Sequence, residues 1–166
     1  MNQLFLIVGP SGSGKDTMIE RAAKRVQELN KVKRVITREN NEFEDFESIS
    51  ESEFNNQEFF ISWTAHGNKY GIPKLGQGNY IINVSRKMVN KIRSLHPKTH
   101  VIELTARPEV LLERQMRRGR DSKEEIMERL KRIIKVNSDH VIDTSSPDIN
   151  EDVDKLVNYI KKKILP

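Results

Sequence analysis

The chain has 166 residues, 36% of them hydrophobic and 32% charged, with a net charge of +5 and an isoelectric point near 9.4. That length suits one domain with a single substantial core, and no apolar run nears the roughly 18 residues of a membrane span. The lack of cysteine excludes disulfides and thiolate metal sites; with no basic leader before the first apolar run, a cytoplasmic location is expected.

From the N-terminus, Leu4 to Val8 is a continuous apolar run before a glycine-rich turn, as expected of a strand buried on both faces. Met18, Ile19, Ala22, Ala23, Val26 and Leu29 recur at helical spacing and predict a helix from Lys15 to about Leu29. Val32 to Thr37 reads as a second strand. Residues 38–49 are polar and acidic without periodicity and read as a loop. Ser50 with Glu53 forms a capping box for a short helix through Phe54. Glu58 to Tyr70 predicts a strand, a turn at Gly67-Asn68 and a return strand. Tyr80 to Val84 is a further buried strand, followed by a helix from Ser85 to Leu95; His100 to Leu104 is another strand.

Pro108 opens a helix to about Arg117, and Ser122 with Glu125 caps a second one whose apolar face is Ile126, Leu130, Ile133 and Ile134. Val141-Ile142 gives a last strand and Pro147 to Leu165 a closing helix, whose Lys161-Lys162-Lys163 suits the negative end of the dipole. The alternation predicts an α/β fold around a mainly parallel sheet. A small insertion at about 38–75 interrupts it, and ligands belong at the carboxyl ends of the strands. No repeat or linker divides the chain, so one domain over 1–166 is expected.

The basic excess admits a nucleic-acid surface or a pocket for small, phosphate-rich molecules. The basic residues form no uninterrupted block: the densest cluster, RQMRRGR at 114–120, is followed at once by acids. Nucleic acid and membrane are therefore not the expected partners, and oligomeric state is left open.

Gly9, Pro10, Ser11, Gly12, Ser13, Gly14, Lys15, Asp16 and Thr17 carry the chemistry. The Gly-x4-Gly-Lys spacing between a buried strand and a helix is that of a phosphate-binding loop, in which backbone N–H groups and the helix N-terminus cradle phosphates. Lys15 would reach the β- and γ-phosphates of ATP, and Thr17 offers a hydroxyl to the α-phosphate. Asp16 stands where such loops carry a serine or threonine that holds Mg²⁺. A carboxylate is a hard-oxygen ligand suited to the same ion; the alternative is an acid that answers the helix dipole. Arg114, Arg118 and Arg129 flank Gly119 on a segment that would bring positive charge to a migrating phosphoryl group. A surface helix laced with ion pairs is the plainer alternative for that cluster.

These motifs, with Thr37-Arg38, FFISWTAHGNKYG at 59–71 and RxxxRGRDSxEEIxxRL at 114–130, occur in the order found in guanylate kinases, and the chain resembles that family from Leu4 to about Asp143. The resemblance implies a P-loop nucleoside monophosphate kinase fold, with a parallel sheet core, a substrate-binding insertion and an arginine-bearing lid. It assigns Arg114, Arg118 and Arg129 to the lid, and Arg38 and Tyr70 to the acceptor phosphate.

Several positions depart from that pattern. Ser62 stands where the family has a guanine-reading glutamate and Asn83 where it has a guanine-reading aspartate. Asn41 replaces a second acceptor arginine, and Phe46 a phosphate-binding tyrosine. Neutral groups in place of carboxylates weaken the bonds guanine's N–H donors require. GPSGSGKD, ITR, SESEFNNQEFF, SWTAHGNKYG, NVSR and RGRD more closely resemble ribose 1,5-bisphosphate phosphokinases, which share Asp16 and both losses.

This second resemblance implies ATP- and Mg²⁺-dependent phosphorylation of ribose 1,5-bisphosphate to 5-phospho-α-D-ribosyl 1-diphosphate. Arg38, Tyr70, Ser62, Asn83 and Arg86 are the acceptor candidates. His66 could meet a hydroxyl or phosphate, while Trp63 and Phe59 read as packing residues. The alternatives are a nucleoside monophosphate kinase of altered base choice and a non-catalytic binding module on the same fold.

Overall fold

The computed structural model describes residues 2–41, 44–132 and 134–165. Five parallel strands form the core sheet in the order β2-β7-β1-β8-β9: β1 (Leu4–Val8), β2 (Leu29–Lys31), β7 (Asn79–Asn83), β8 (Thr99–Thr105) and β9 (His140–Asp143). Side-chain alternation along β1 divides the core. Phe5 and Ile7 join Ile81, Ile102 and Leu104 under α1 (Lys15–Arg25) and α6 (Ile149–Ile164). Leu4, Leu6 and Val8 face the other side with Ile82, Val101 and Ile92 of α3 (Val89–Leu95). Both faces are covered, which explains why β1 is apolar at every position.

A second sheet, ordered β4-β3-β6-β5, forms the insertion from β3 (Arg34–Ile36), β4 (Phe46–Ser48), β5 (Phe59–Ala65) and β6 (Asn68–Pro73), with α2 (Glu51–Asn55) between β4 and β5. β3 and β4 are parallel, while β6 runs antiparallel to both β3 and β5. Ile36, Phe46 and Tyr70 make a small core of their own, with Trp63 and Ala65 against it. Ser50 caps α2 by accepting the Glu53 N–H, and the next pair of helices, α4 (Pro108–Arg118) and α5 (Lys123–Leu130), meets at Gly119. Ser122 caps α5 by accepting the Glu125 N–H.

Several expectations need correction. The predicted strand Val32 to Thr37 is two strands in different sheets, because the chain leaves the core sheet after Lys31 and enters the insertion at Arg34. The insertion therefore starts four residues earlier than position 38, and β4 lies inside the predicted loop. The first helix stops at Arg25: Val26 is extended, and its side chain with that of Leu29 continues into the core from non-helical backbone. The hairpin turn centres on His66-Gly67, one residue earlier than predicted. Both have positive φ, 51° and 76°, as a two-residue primed turn requires. α5 ends at Leu130, so Ile134 lies beyond the helix; Ile133 lies outside the described residues.

Candidate active site

The phosphate loop leaves β1 and enters α1 at the carboxyl edge of the core sheet, where crossover connections of a parallel sheet leave ligand space. Gly9 has φ 152°, and a Cβ there would stand 2.6 Å from the Leu104 carbonyl oxygen. Only glycine lets the loop pass so close to β8. Three bonds from outside the loop brace it. Gln115, buried, donates to the Ser11 carbonyl at 3.0 Å; Thr144 Oγ1 donates to the Ser13 carbonyl at 2.8 Å; Arg114 donates to the Gly12 carbonyl at 3.1 Å. Arg114 also donates to the Thr144 carbonyl. Its guanidinium is thus engaged with the backbone oxygens of Gly12 and Thr144.

Two clefts meet at this loop. One, of about 690 Å³, is lined by Gly12 to Gly14, Arg107, Val110, Arg114, Thr144, Ser145, Pro147 and Ile149, a partly apolar slot of the kind that receives a nucleobase. The other, of about 530 Å³, lies between the loop, the insertion and the lid. Gly12, Gly14 and Arg118 line both, so a phosphate chain along the loop would span from one to the other.

Asp16 and Asn83 form one unit. Asn83 Nδ2, at the carboxyl end of β7, donates to Asp16 Oδ1 at 2.9 Å, and the Asp45 N–H donates to Asp16 Oδ2 at 3.2 Å. A carboxylate in the loop needs a donor beside it, and aspartate at 83 would repel it. The two departures from the guanylate kinase pattern thus meet in one hydrogen bond. Among the described residues no cluster of three or more His, Cys, Asp or Glu can hold a metal. A single carboxylate completed by substrate phosphates and water is nevertheless the usual Mg²⁺ arrangement. Asp16 lines the acceptor cleft, and each of its oxygens keeps a lone pair beyond its one hydrogen bond, so the residues fit that ion.

On the insertion, Tyr70 stacks on Trp63 with ring centroids 5.4 Å apart, and both line the acceptor cleft. Trp63 is cleft wall as well as packing. Ser62 is exposed and is not among the residues lining the cleft. It pairs with Gly71, whereas Trp63 pairs with Tyr70, so strand alternation turns Ser62 to the other face. Ser62 as an acceptor residue is corrected on that ground. Phe59 packs on Gly71 and against Phe54, as expected of a packing residue. His66 is exposed at the cleft edge. Arg38 donates to Glu44 Oε2 at 2.6 Å and lies over the Phe46 ring, 4.9 Å from its centroid.

Sequence reasoning missed Arg34, Glu44 and Arg120. Glu44 accepts from Arg38 and, at 3.2 Å, from Arg120 of the lid, and lies 3.9 Å from Arg34. These arginines hold its carboxyl below its ordinary pKa despite burial. Glu44 thus ties lid to insertion. Only the shared face of β3 would have revealed Arg34: two residues before Ile36, it lies on the side of Tyr70. On the lid, Gly119 ends α4 in the left-handed region at φ 67°, the conformation that frees α5 to turn away. Asp121 accepts from Arg129, which with Arg118, Arg120 and Arg132 lines the acceptor cleft.

Lys15 donates to the Gly9 and Pro10 carbonyls at 2.8 and 3.1 Å, folded back onto its own loop. Burial, then the Arg34 charge, lowers its pKa to about 8. Arg86 contributes a smaller part, lines the same cleft, and has its own pKa lowered by burial. Ser85, not Arg86, caps the short helical turn Arg86–Met88. Among the described residues, nine lysine and arginine side chains and two carboxylates line the acceptor cleft.

No protein-family profile matches the chain. Curated relatives do. It is 40% identical over 139 residues to the ribose 1,5-bisphosphate phosphokinase PhnN of Acidiphilium cryptum (strain JF-5), covering 78% of this chain and 76% of that protein. The protein of the same name from Brucella melitensis biotype 2 (strain ATCC 23457) is 39% identical over 140 residues, covering 76% and 73%. A bifunctional ribose 1,5-bisphosphokinase-thymidine phosphorylase of Cupriavidus pinatubonensis (strain JMP 134 / LMG 1197) is 38% identical over 141 residues. That match covers 77% of this chain and 23% of the longer protein. Among solved structures, guanylate kinase from Anaplasma phagocytophilum superimposes with a TM-score of 0.72, covering 99% of this chain and 87% of the other. At 17% identity, that likeness establishes the fold. The chain is a phosphotransferase of the P-loop nucleoside monophosphate kinase fold, and it belongs to the ribose 1,5-bisphosphate phosphokinase family.

Proposed function

We propose that the chain transfers the γ-phosphoryl group of ATP to a phosphate of ribose 1,5-bisphosphate, giving 5-phospho-α-D-ribosyl 1-diphosphate and ADP. The observation that supports this most is the charge of the acceptor cleft, nine cations against two carboxylates among the described residues. An acceptor with a dianion at each end answers such a wall. A nucleoside monophosphate brings one phosphate and a base that needs polar partners, and Ser62, the expected partner, faces away. The relatives' names point the same way.

The attacking phosphate oxygen is already anionic, so the chain needs no strong general base. The loop amides and Lys15 would hold the β- and γ-phosphates. Arg38, Tyr70 and Arg86 would hold and orient the acceptor, and Arg118 and Arg129 would offset charge on the migrating group while the lid excludes water. Mg²⁺, held by Asp16 and the nucleotide phosphates, would supply further charge neutralisation on the triphosphate. The second reading is a nucleoside monophosphate kinase, favoured by the Trp63–Tyr70 stack as an aromatic wall beside the cleft. Comparing kcat/KM for ribose 1,5-bisphosphate and GMP at saturating ATP separates them. We expect the sugar to lead by about 10³ or more; equal or faster use of GMP overturns the proposal.

A further inference from the structure

Arg34 is 9% exposed. Its Nε–H has no partner, and among the described residues its guanidinium makes no hydrogen bond. Its one ion pair among the described residues is the long 3.9 Å approach to Glu44. Buried guanidinium groups are ordinarily paired with well-placed acceptors, since an unmatched buried cation is costly. Tyr80 and Asn79 show that the same fold satisfies other half-buried and buried polar groups with backbone oxygens. Arg34 lines the acceptor cleft instead, and its buried Nε has no hydrogen-bond partner among the described residues.

Its position is central. The charges acting on Arg34 are, in order, those of Asp16, Glu44, Tyr70 and Arg38, and Arg34 is the foremost charge acting on Lys15. Arg34 lines the same cleft as the lysine of the phosphate loop, Arg38 and Tyr70. β3 fixes it there, since Arg34 and Ile36 share the face on which Ile36 meets Tyr70.

We propose that Arg34 is an acceptor-binding catalytic residue: its guanidinium takes the phosphate onto which the γ-phosphoryl group is transferred. In that step an acceptor-phosphate oxygen bonds to the γ-phosphorus, the bond to the β,γ-bridging oxygen breaks, and ADP leaves with its electron pair. The dianionic phosphate gives the guanidinium the acceptors it lacks in the free enzyme. Arg34 also holds that phosphate beside Lys15, where two cations compensate charge on both reacting groups. The inference rests on the reading above only for the identity of the acceptor, and the test uses whichever of ribose 1,5-bisphosphate and GMP the wild-type enzyme turns over faster.

Arg34→Met keeps length and removes the charge; Arg34→Lys keeps charge without the planar fork. For Arg34→Met, kcat/KM for the acceptor is expected to fall by about 10² to 10³, while binding of ADP by isothermal titration stays within a few-fold. Arg34→Lys should recover part of the loss. The unliganded Arg34→Met protein should melt at the same temperature as wild type or higher, because an unmatched buried cation is gone. A lower melting temperature together with weaker ADP binding would assign Arg34 to folding and overturn the proposal. So would an unchanged acceptor kcat/KM. Preference for GMP by the wild type would overturn the sugar reading alone, and Arg34 would stand or fall on its effect with GMP.

Discussion

Lys15 makes the site's response to pH predictable. In the free protein its pKa is about 8, lowered first by burial and then by the Arg34 charge. Bound triphosphate places negative charge against the ammonium and raises that pKa. Free enzyme above about pH 8 must therefore take up a proton to bind ATP. Apparent affinity should fall about tenfold, or about 1.4 kcal/mol, for each further pH unit, until the bound-state pKa is reached. The rise appears in KM for ATP and not in kcat, because the saturated enzyme keeps Lys15 protonated. Folding stability should move the other way. A lysine whose folded pKa is depressed carries its full penalty below that pKa and is relieved of it as pH rises from there to the unfolded value of 10.5. The unliganded protein therefore gains stability from about pH 8 upward on this account. The assay is initial velocity against ATP concentration from about pH 7 to pH 10 at fixed free Mg²⁺. A KM for ATP that stays flat beyond about pH 9.5 would refute the coupling between Lys15, burial and nucleotide binding.

Three substitutions test other parts. Asp16→Ala should raise the Mg²⁺ concentration for half-maximal rate several-fold or more; no change would leave Asp16 as a helix-end charge held by Asn83. Gly9→Ala forces a Cβ to within 2.6 Å of the Leu104 carbonyl at φ 152°. About 1–3 kcal/mol of strain should result, read as a melting temperature lower by several degrees, with weaker ATP binding. An unaltered melting curve would show that the loop relaxes freely. Ser62→Ala should leave acceptor KM and stability unaltered, within about 0.5 kcal/mol; a large rise in KM would place Ser62 in the acceptor site after all.

The parts of the fold legible in the sequence are those with strong local signals. β1, the phosphate loop, the Ser50 and Ser122 caps and the Pro108 start each depend on a few adjacent residues. β2 and β3 read as one strand because nothing local marks the point at which a chain passes from one sheet to another; β-pairing is decided by distant partners. The turn reads one residue late in the sequence because a histidine with positive φ has no strong sequence signal beside Gly67-Asn68.

The site divides in the same way. Lys15, Asp16 and Arg38 lie in contiguous motifs. Arg34, Glu44 and Arg120 come together only when lid, insertion and loop are folded. Asn83 was found as a position but not as a partner, since the Asp16–Asn83 bond joins residues 67 apart in sequence. Ser62 shows the limit of motif alignment: a residue at the right place in a motif still depends on strand phase for the face it presents, and the irregularity between Phe59 and Ile61 precedes it.

The most direct test of the central claim, that the acceptor is recognised by its anionic ends, is ³¹P NMR of the purified enzyme with ATP, Mg²⁺ and ribose 1,5-bisphosphate. The account predicts loss of the sugar 1-phosphate signal, appearance of a coupled diphosphate pair and an unchanged 5-phosphate resonance as ADP accumulates. An unaltered 1-phosphate signal, with rapid conversion of GMP to GDP under the same conditions, would contradict it.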